Sequence, residues 1–481
     1  MLVNAALTAY FLAFARQSTQ HFPTKKIKGK RAMKATTRLL MATTMLAAGV
    51  GTATTALAAP MYSLVTTIPI NQGPAKFSGY DNSTVDPSTQ LYYLTDRSAN
   101  AIDVISTKTN TLIGRIGQTA GFGGVSTSND TAGPNGISIT TLTDGTKLLL
   151  AGNTAPNSTV GNVIAFNLAA DGLTVNMTRT LTTANALTPT PANRVDGVVY
   201  SPVANSILAA NNASTPGVIT TLSNMDGHII NTLLLNGTNG APNGQGNGVE
   251  GPIYNTLTKT FFVAIPNLTS DPTGAGTGGG GVVEIDPATG GLLRTFDFDK
   301  LGASGACNPN GVVQGAGGVI GVACGTSGTT AARGLTLFLD PAGDGGKGSI
   351  TTSDAVAGAD QIAFDPTAGV YFEAARFALP IGAGDATPVL GIFNSDGSFS
   401  QSISITYNDH SVAVDPVTHE VLVAFGASTK SPSPSDFPGC SLGCVAVFAP
   451  ATTVPEPTSI ALMMTGLIGA AAAIGRRSRH E

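Results

Sequence analysis

Asp196-Gly-Val-Val-Tyr200-Ser201-Pro202 is the stretch on which the fold turns. A polar residue opens it, small and apolar residues follow, and a serine-proline turn ends it. The phrase recurs. Before it stand Asp81-Asn-Ser-Thr-Val-Asp86-Pro87 and Asn135-Gly-Ile-Ser-Ile. After it come Glu250-Gly-Pro-Ile-Tyr254-Asn255, Asn310-Gly-Val-Val-Gln314, Asp360-Gln-Ile-Ala-Phe364-Asp365-Pro366 and His410-Ser-Val-Ala-Val414-Asp415-Pro416. The seven openings are separated by 54, 61, 54, 60, 50 and 50 residues. Self-similarity at such a period marks units that bury their faces only by stacking on one another.

Within each unit further strands follow. In the first, Leu91 to Leu94, Ala101 to Ser106 and Thr111 to Gly117 alternate apolar and polar residues. Asp96-Arg-Ser-Ala-Asn and Lys108-Thr-Asn separate them, which is the hairpin pattern. Later, Asp286-Pro287-Ala-Thr-Gly290 joins Val282–Ile285 to Leu292–Phe296, with proline presetting the turn and glycine closing it. About four short strands per unit, seven times over, predict an all-β fold: a single seven-bladed β-propeller over residues 59–453. The piece Met61 to Ile70 precedes the first phrase. It is expected to complete the last blade beside Cys444 to Phe448.

Composition agrees. The chain has 481 residues, 11% of them charged, and a net charge of −4 with no basic cluster in the middle. A nucleic-acid partner is therefore not expected, because phosphate binding needs a concentrated Lys/Arg face. Cys307 with Cys324 and Cys440 with Cys444 form two close pairs, and an even count in an exported chain predicts disulfides.

Both ends carry export signals. Lys25, Lys26, Lys28, Lys30, Arg31, Lys34 and Arg38 precede the apolar run Leu39 to Leu57, which closes on Ala56-Leu57-Ala58. That order reads as a secretory signal within residues 1–58, with Met33-Lys34 a better start than Met1 and a signal peptidase as partner. At the other end, Val454-Pro455-Glu456-Pro457 leads into the uncharged run Thr458 to Gly475 and then Arg476-Arg477-Ser478-Arg479. About 18 apolar residues are near the lower limit for a membrane-spanning helix, and the arginines would hold that end in the cytoplasm. Residues 454–481 resemble the PEP-CTERM sorting signal. The resemblance implies an exosortase as partner, Pro455, Glu456 and Pro457 as the sorting motif, and delivery to the outer membrane, cell surface or extracellular matrix of a Gram-negative bacterium. Contact with the membrane is expected only through that C-terminal helix.

Each recurring phrase opens the strand expected to line the central channel. Asp81, Asn135, Asp196, Glu250, Asn310, Asp360 and His410 would then form a ring at one channel mouth. Four like charges in a narrow mouth repel unless a cation or proton is taken up, and carboxylate-plus-amide oxygens suit calcium. The first unit, in Leu91-Tyr-Tyr-Leu-Thr-Asp-Arg and Ile102-Asp-Val-Ile-Ser-Thr-Lys, resembles the YVTN propeller repeat. The ring resembles the calcium site of gluconolactonase and paraoxonase propellers. That resemblance implies Glu250, Asn135, Asn310 and Asp196 as calcium ligands, His410 or Asp360 as base, and lactones or esters as substrates. The other reading is a solvated ring in a binding or structural propeller, its partner a surface ligand such as an exopolysaccharide. On that reading the glycine after several ring residues is a turn requirement.

Overall fold

The computed structural model describes residues 60–70, 76–184, 193–214, 216–238, 242–244, 248–269, 279–303, 307–325, 335–378, 387–407 and 409–451. The signal segment 1–58, the sorting tail 454–481 and the two helices expected there lie outside these residues. Among the described residues, no helix is long and apolar enough to cross a membrane.

Seven four-stranded antiparallel sheets follow one another along the described residues. The first blade is Tyr80–Asp86, Leu91–Asp96, Ala101–Ser106 and Thr111–Ile116. The innermost strands of the next five are Ile137–Thr141, Val195–Ser201, Pro252–Asn255, Asn308–Gln314 and Val356–Asp365. Asn100 and Asn110 take positive φ at the ends of two of the three hairpin turns of the first blade, and Gln90 ends the third in the same way; asparagine tolerates the left-handed conformation well. The fold is a seven-bladed β-propeller.

The seventh blade is built from both ends of the domain. Val412–Asp415, Glu420–Phe425 and Cys444–Pro450 are its first three strands, and Tyr62–Pro69 is the fourth. That strand runs antiparallel to Cys444–Pro450, with Tyr62 opposite Pro450 and Pro69 opposite Cys444. The expected ring closure is thus observed.

The core is divided among the blade interfaces. Leu148, Leu149 and Leu150 are consecutive in one strand of the second blade, all fully buried. Leu149 packs with Tyr93, Ile102 and Val104 of the first blade. Leu148 and Leu150 pack with Ile207 and Ala209 of the third. Side chains alternate faces along a strand, so middle strands sandwiched between two blades need apolar residues at successive positions. Tyr92 and Tyr93 divide in the same way between the seventh and second blades. Each such large apolar side chain contributes roughly 1.5–3 kcal/mol on burial.

Candidate functional site

All seven ring residues lie at the expected end of the innermost strands, and the reason is local backbone geometry. In four blades the pairing register breaks at the ring residue, between Tyr80 and Ser83, Val195 and Gly197, Pro309 and Val312, and Ala359 and Gln361. A bulge of this kind re-aims a side chain. In the second and fourth blades the ring residue stands just ahead of the strand. There the backbone NH of Asn135 donates to Gly152 O (2.8 Å), and that of Glu250 donates to Ala264 O (3.0 Å).

These residues surround a vestibule of about 390 Å3 at the channel mouth. Its walls include Asp81, Asp196, Glu250, Asn310, Asp360 and His410, joined by Arg97, Asn129, Arg194 and Asn308. Asn135, the seventh ring residue, is fully buried behind the wall.

The glycine that follows four of the ring residues has a different role from the turn requirement expected. A Cβ on Gly136 would strike Asp196 O of the next blade, and one on Gly197 would strike Pro252. These glycines let adjacent inner strands approach each other near the axis. In the sixth, seventh and first blades the same position holds Gln361, Ser411 and Asn82, and their neighbourhood is bridged by side chains. Gln361 donates to Asn82 Oδ1, and Ser411 Oγ donates to Ser83 Oγ at 2.8 Å.

Two arginines that the ring pattern missed organise the charge. Arg97, in the turn after the second strand of the first blade, pairs with Asp81. It also donates from Nε (3.1 Å) and Nη2 (2.7 Å) to Asn135 Oδ1, and from Nη1 to Asn129 Oδ1 at 2.8 Å. Arg194 is 3% exposed and lies 2.7 Å from Asp196 and 3.9 Å from Asp81. Its Nη2 donates to Asn212, and Asn212 donates to Glu250 Oε1. The blades from first to fourth are thereby linked through one buried network.

The acids differ in protonation. Burial pushes Glu250 well above the usual carboxylate range, and repulsion from the Asp196 charge adds to the rise. Burial works in the same direction on Asp196, but Arg194 and the hydrogen bond with Glu250 outweigh it and hold its carboxyl low. The two carboxyls share one buried site, and burial and mutual repulsion push Glu250 up while Arg194 holds Asp196 down. Asp81 is pushed up to about 6 by burial, against the pull of Arg97. His410 lies flat on Tyr80, ring centroids 4.6 Å apart, and Tyr80 in turn stacks on Phe77.

Calcium was expected because four carboxylates needed compensation. Here Arg97 and Arg194 supply positive charge beside Asp81 and Asp196. The only acceptor atom of the Asn135 side chain is taken by Arg97, and the Asp196 carboxylate is paired with Arg194. Among the described residues no group of three or more His, Cys, Asp or Glu is arranged to hold a metal ion. Arginine contacts thus already occupy the side-chain oxygens of Asn135 and Asp196, two of the four expected calcium ligands. The ligand assignment for Glu250, Asn135, Asn310 and Asp196 and the base assignment for His410 or Asp360 gain no geometric support. Arg194 stands two residues before Asp196, and in a chain so poor in charge that proximity was the available signal.

Below the vestibule the channel turns apolar. A second cavity of about 540 Å3 is lined by Val85, Ile137, Ile139, Val198, Ile253, Val312, Ile362 and Val412, among others. Asn82 and Gln361 belong to its wall, each one residue beyond a vestibule acid. Their hydrogen bond lies at the level where the two chambers meet. At the opposite mouth, side chains tie neighbouring blades: Lys147 to Asp86 (2.9 Å), Thr107 to Asp415 (2.5 Å) and His419 to Asp365 (2.6 Å).

Both expected disulfides are present, Cys307–Cys324 and Cys440–Cys444. The first joins the start of the inner strand of the fifth blade to its second strand, where Cys324 lies opposite Pro309. It braces the vestibule wall beside Asn308 and Asn310. Gly343 to Lys347, which only superficially suggests a phosphate loop, is the turn between Thr336–Asp340 and Ser349–Ser353.

Comparison with known proteins supports the fold and the tail. Residues 453–477 match the family model described as the PEP-CTERM protein-sorting motif. Among solved structures, Kuenenia stuttgartiensis hydrazine synthase is similar at 11% identity and a TM-score of 0.50, over 74% of this chain and 95% of that one. That likeness is of fold alone. None of the curated protein sequences matches this one. Fold and tail together define an exported propeller with a surface-sorting signal. The motif implies exosortase-dependent export and surface anchoring in a Gram-negative bacterium.

Proposed function

We propose that this protein is a binding propeller of the outer cell surface or extracellular matrix, and that the vestibule is its ligand site. The ligand class that suits it is neutral and hydroxyl-rich, such as the sugar units of an exopolysaccharide. The observation that carries this reading is an almost wholly polar chamber in which arginines pair with two of its carboxylates. The Arg97–Asp81 and Arg194–Asp196 pairs leave amides as the most numerous uncharged polar groups of the wall. Asn129, Asn308 and Asn310 offer amides that donate and accept at once. Asn308 Oδ1 is buried in the wall with no hydrogen-bond partner among the described residues, an acceptor that a hydroxyl would satisfy. A signal peptidase and an exosortase act on the chain during export in this reading.

The test is a binding screen of the intact protein against neutral, anionic and cationic oligosaccharides, repeated with Asn308→Ala and Asp360→Asn. Binding of a neutral glycan that both substitutions weaken supports the reading. Binding unaffected by either places the ligand elsewhere. A calcium-dependent lactonase or esterase remains the alternative activity. Hydrolysis of a lactone panel that chelator abolishes would favour it.

A further inference from the structure

Strand direction fixes which face of the propeller the anchor leaves. Every innermost strand starts at the vestibule, so second strands return to it and third strands run away from it. In the seventh blade the third strand is Cys444–Pro450, and Cys444 lies opposite Phe425 at the vestibule end. Phe448 lies opposite Val421, next to the turn at the far mouth. Pro450 is six residues of strand beyond Cys444, about 20 Å farther along the blade. The first strand ends its pairing there too: Tyr62 faces Pro450, and the NH of Ala451 donates to Met61 O at 2.6 Å.

The match to the sorting motif begins at residue 453. The uncharged run that would enter the membrane begins at Thr458, seven residues beyond Ala451, a reach of at most about 25 Å. A domain of this length is on the order of 50 Å across, judged from the usual scaling of compact chains. That connection reaches only about half the width of the domain, too little for the vestibule face to come down onto the membrane. We infer that the surface-anchored propeller stands on the face opposite the vestibule, with the vestibule directed outward. The apolar chamber and the Asp86, Asp365 and Asp415 ties lie on the anchored side. The partner of the vestibule therefore arrives from the medium or the surrounding matrix, and headgroups of the anchoring membrane cannot reach it. This inference rests on the proposed surface display, but it is independent of which ligand binds.

Two exposed positions report the two faces. Thr429 is in the loop that precedes the third strand of the seventh blade, on the vestibule side, and Thr367 is in the first turn of the sixth blade, on the far side. Thr429→Cys and Thr367→Cys are each made in the full chain and produced in cells that sort it to their surface. A bulky, membrane-impermeant maleimide is applied to intact cells and to protein released from them. The expected result is that Thr429→Cys labels equally in both samples. Thr367→Cys labelling is lost on cells and restored on release. Loss at Thr429→Cys instead, or equal labelling of both positions on cells, overturns the orientation. Failure of the glycan screen with this labelling pattern intact would remove the ligand proposal alone.

Discussion

Arg97→Ala tests the claim that arginine, and no metal, compensates the ring. The guanidinium pairs with Asp81 and holds Asn135 and Asn129, and both partners of the ion pair are 12% exposed at the side chain. Breaking a buried pair by removing one partner costs about 3–5 kcal/mol, because the remaining charge is left unpaired. The loss should depend on pH. Asp81 has a folded pKa raised from 3.8 to about 6. Its protonated form is therefore favoured by folding, and this contribution is complete at low pH and lost as pH rises through about 6. Without Arg97 the carboxyl rises further. The variant should therefore lose the full amount near pH 8 but much less near pH 5, where Asp81 takes up a proton. Urea unfolding of the intact protein, with and without calcium, reads both effects. Calcium should leave the wild type almost unchanged and restore part of the stability of the variant, since the substitution exposes the Asp81 and Asn135 oxygens. An equal loss at both pH values, or a wild type stabilised by calcium as much as the variant, would refute the reasoning.

Three further expectations follow from single contacts. Burial raises Glu373 to about 8, with a hydrogen bond from Thr336 to its carboxyl. A rise from 4.5 to about 8 is worth on the order of 5 kcal/mol of stability, present below about pH 4.5 and lost as pH climbs through 8. Glu373→Gln should flatten that alkaline loss in a pH series of melting curves. Gly136→Ala should cost about 1–3 kcal/mol by wedging the second and third blades apart; unchanged denaturant midpoints would show that the strands are looser than described. Replacing Cys307 and Cys324 together by serine, 17 residues apart in sequence, should cost about 3 kcal/mol in chemical unfolding.

The blade count and the ring positions were legible because each blade repeats one phrase, and a β-propeller spends its polar residues at the same place in every unit. The closing role of Met61 to Ile70 was legible for a related reason: a strand-like piece with no unit of its own had only one place to go. Charge compensation was not. Arg97 lies 16 residues from Asp81, in a hairpin turn outside the recurring phrase, and nothing in the spacing says that its side chain reaches Asn135 in the next blade. The glycines were misread for the same reason. Their need appears only when the neighbouring blade is in place, since Gly136 and Gly197 avoid clashes with residues about 55–60 positions later. Local rules expose what repeats within one blade, whereas contacts between blades become visible only in the assembled ring.

The last blade also acts as a completeness check on the molecule. Tyr62 and Ile68 bury against residues from the far end of the domain, so the first strand to emerge during export waits until the final one has crossed. A chain cut short before Cys444 leaves the Glu420–Phe425 strand and the first segment with bare edges. Such edges recruit other chains and invite proteases. Folding itself therefore distinguishes full-length molecules from fragments.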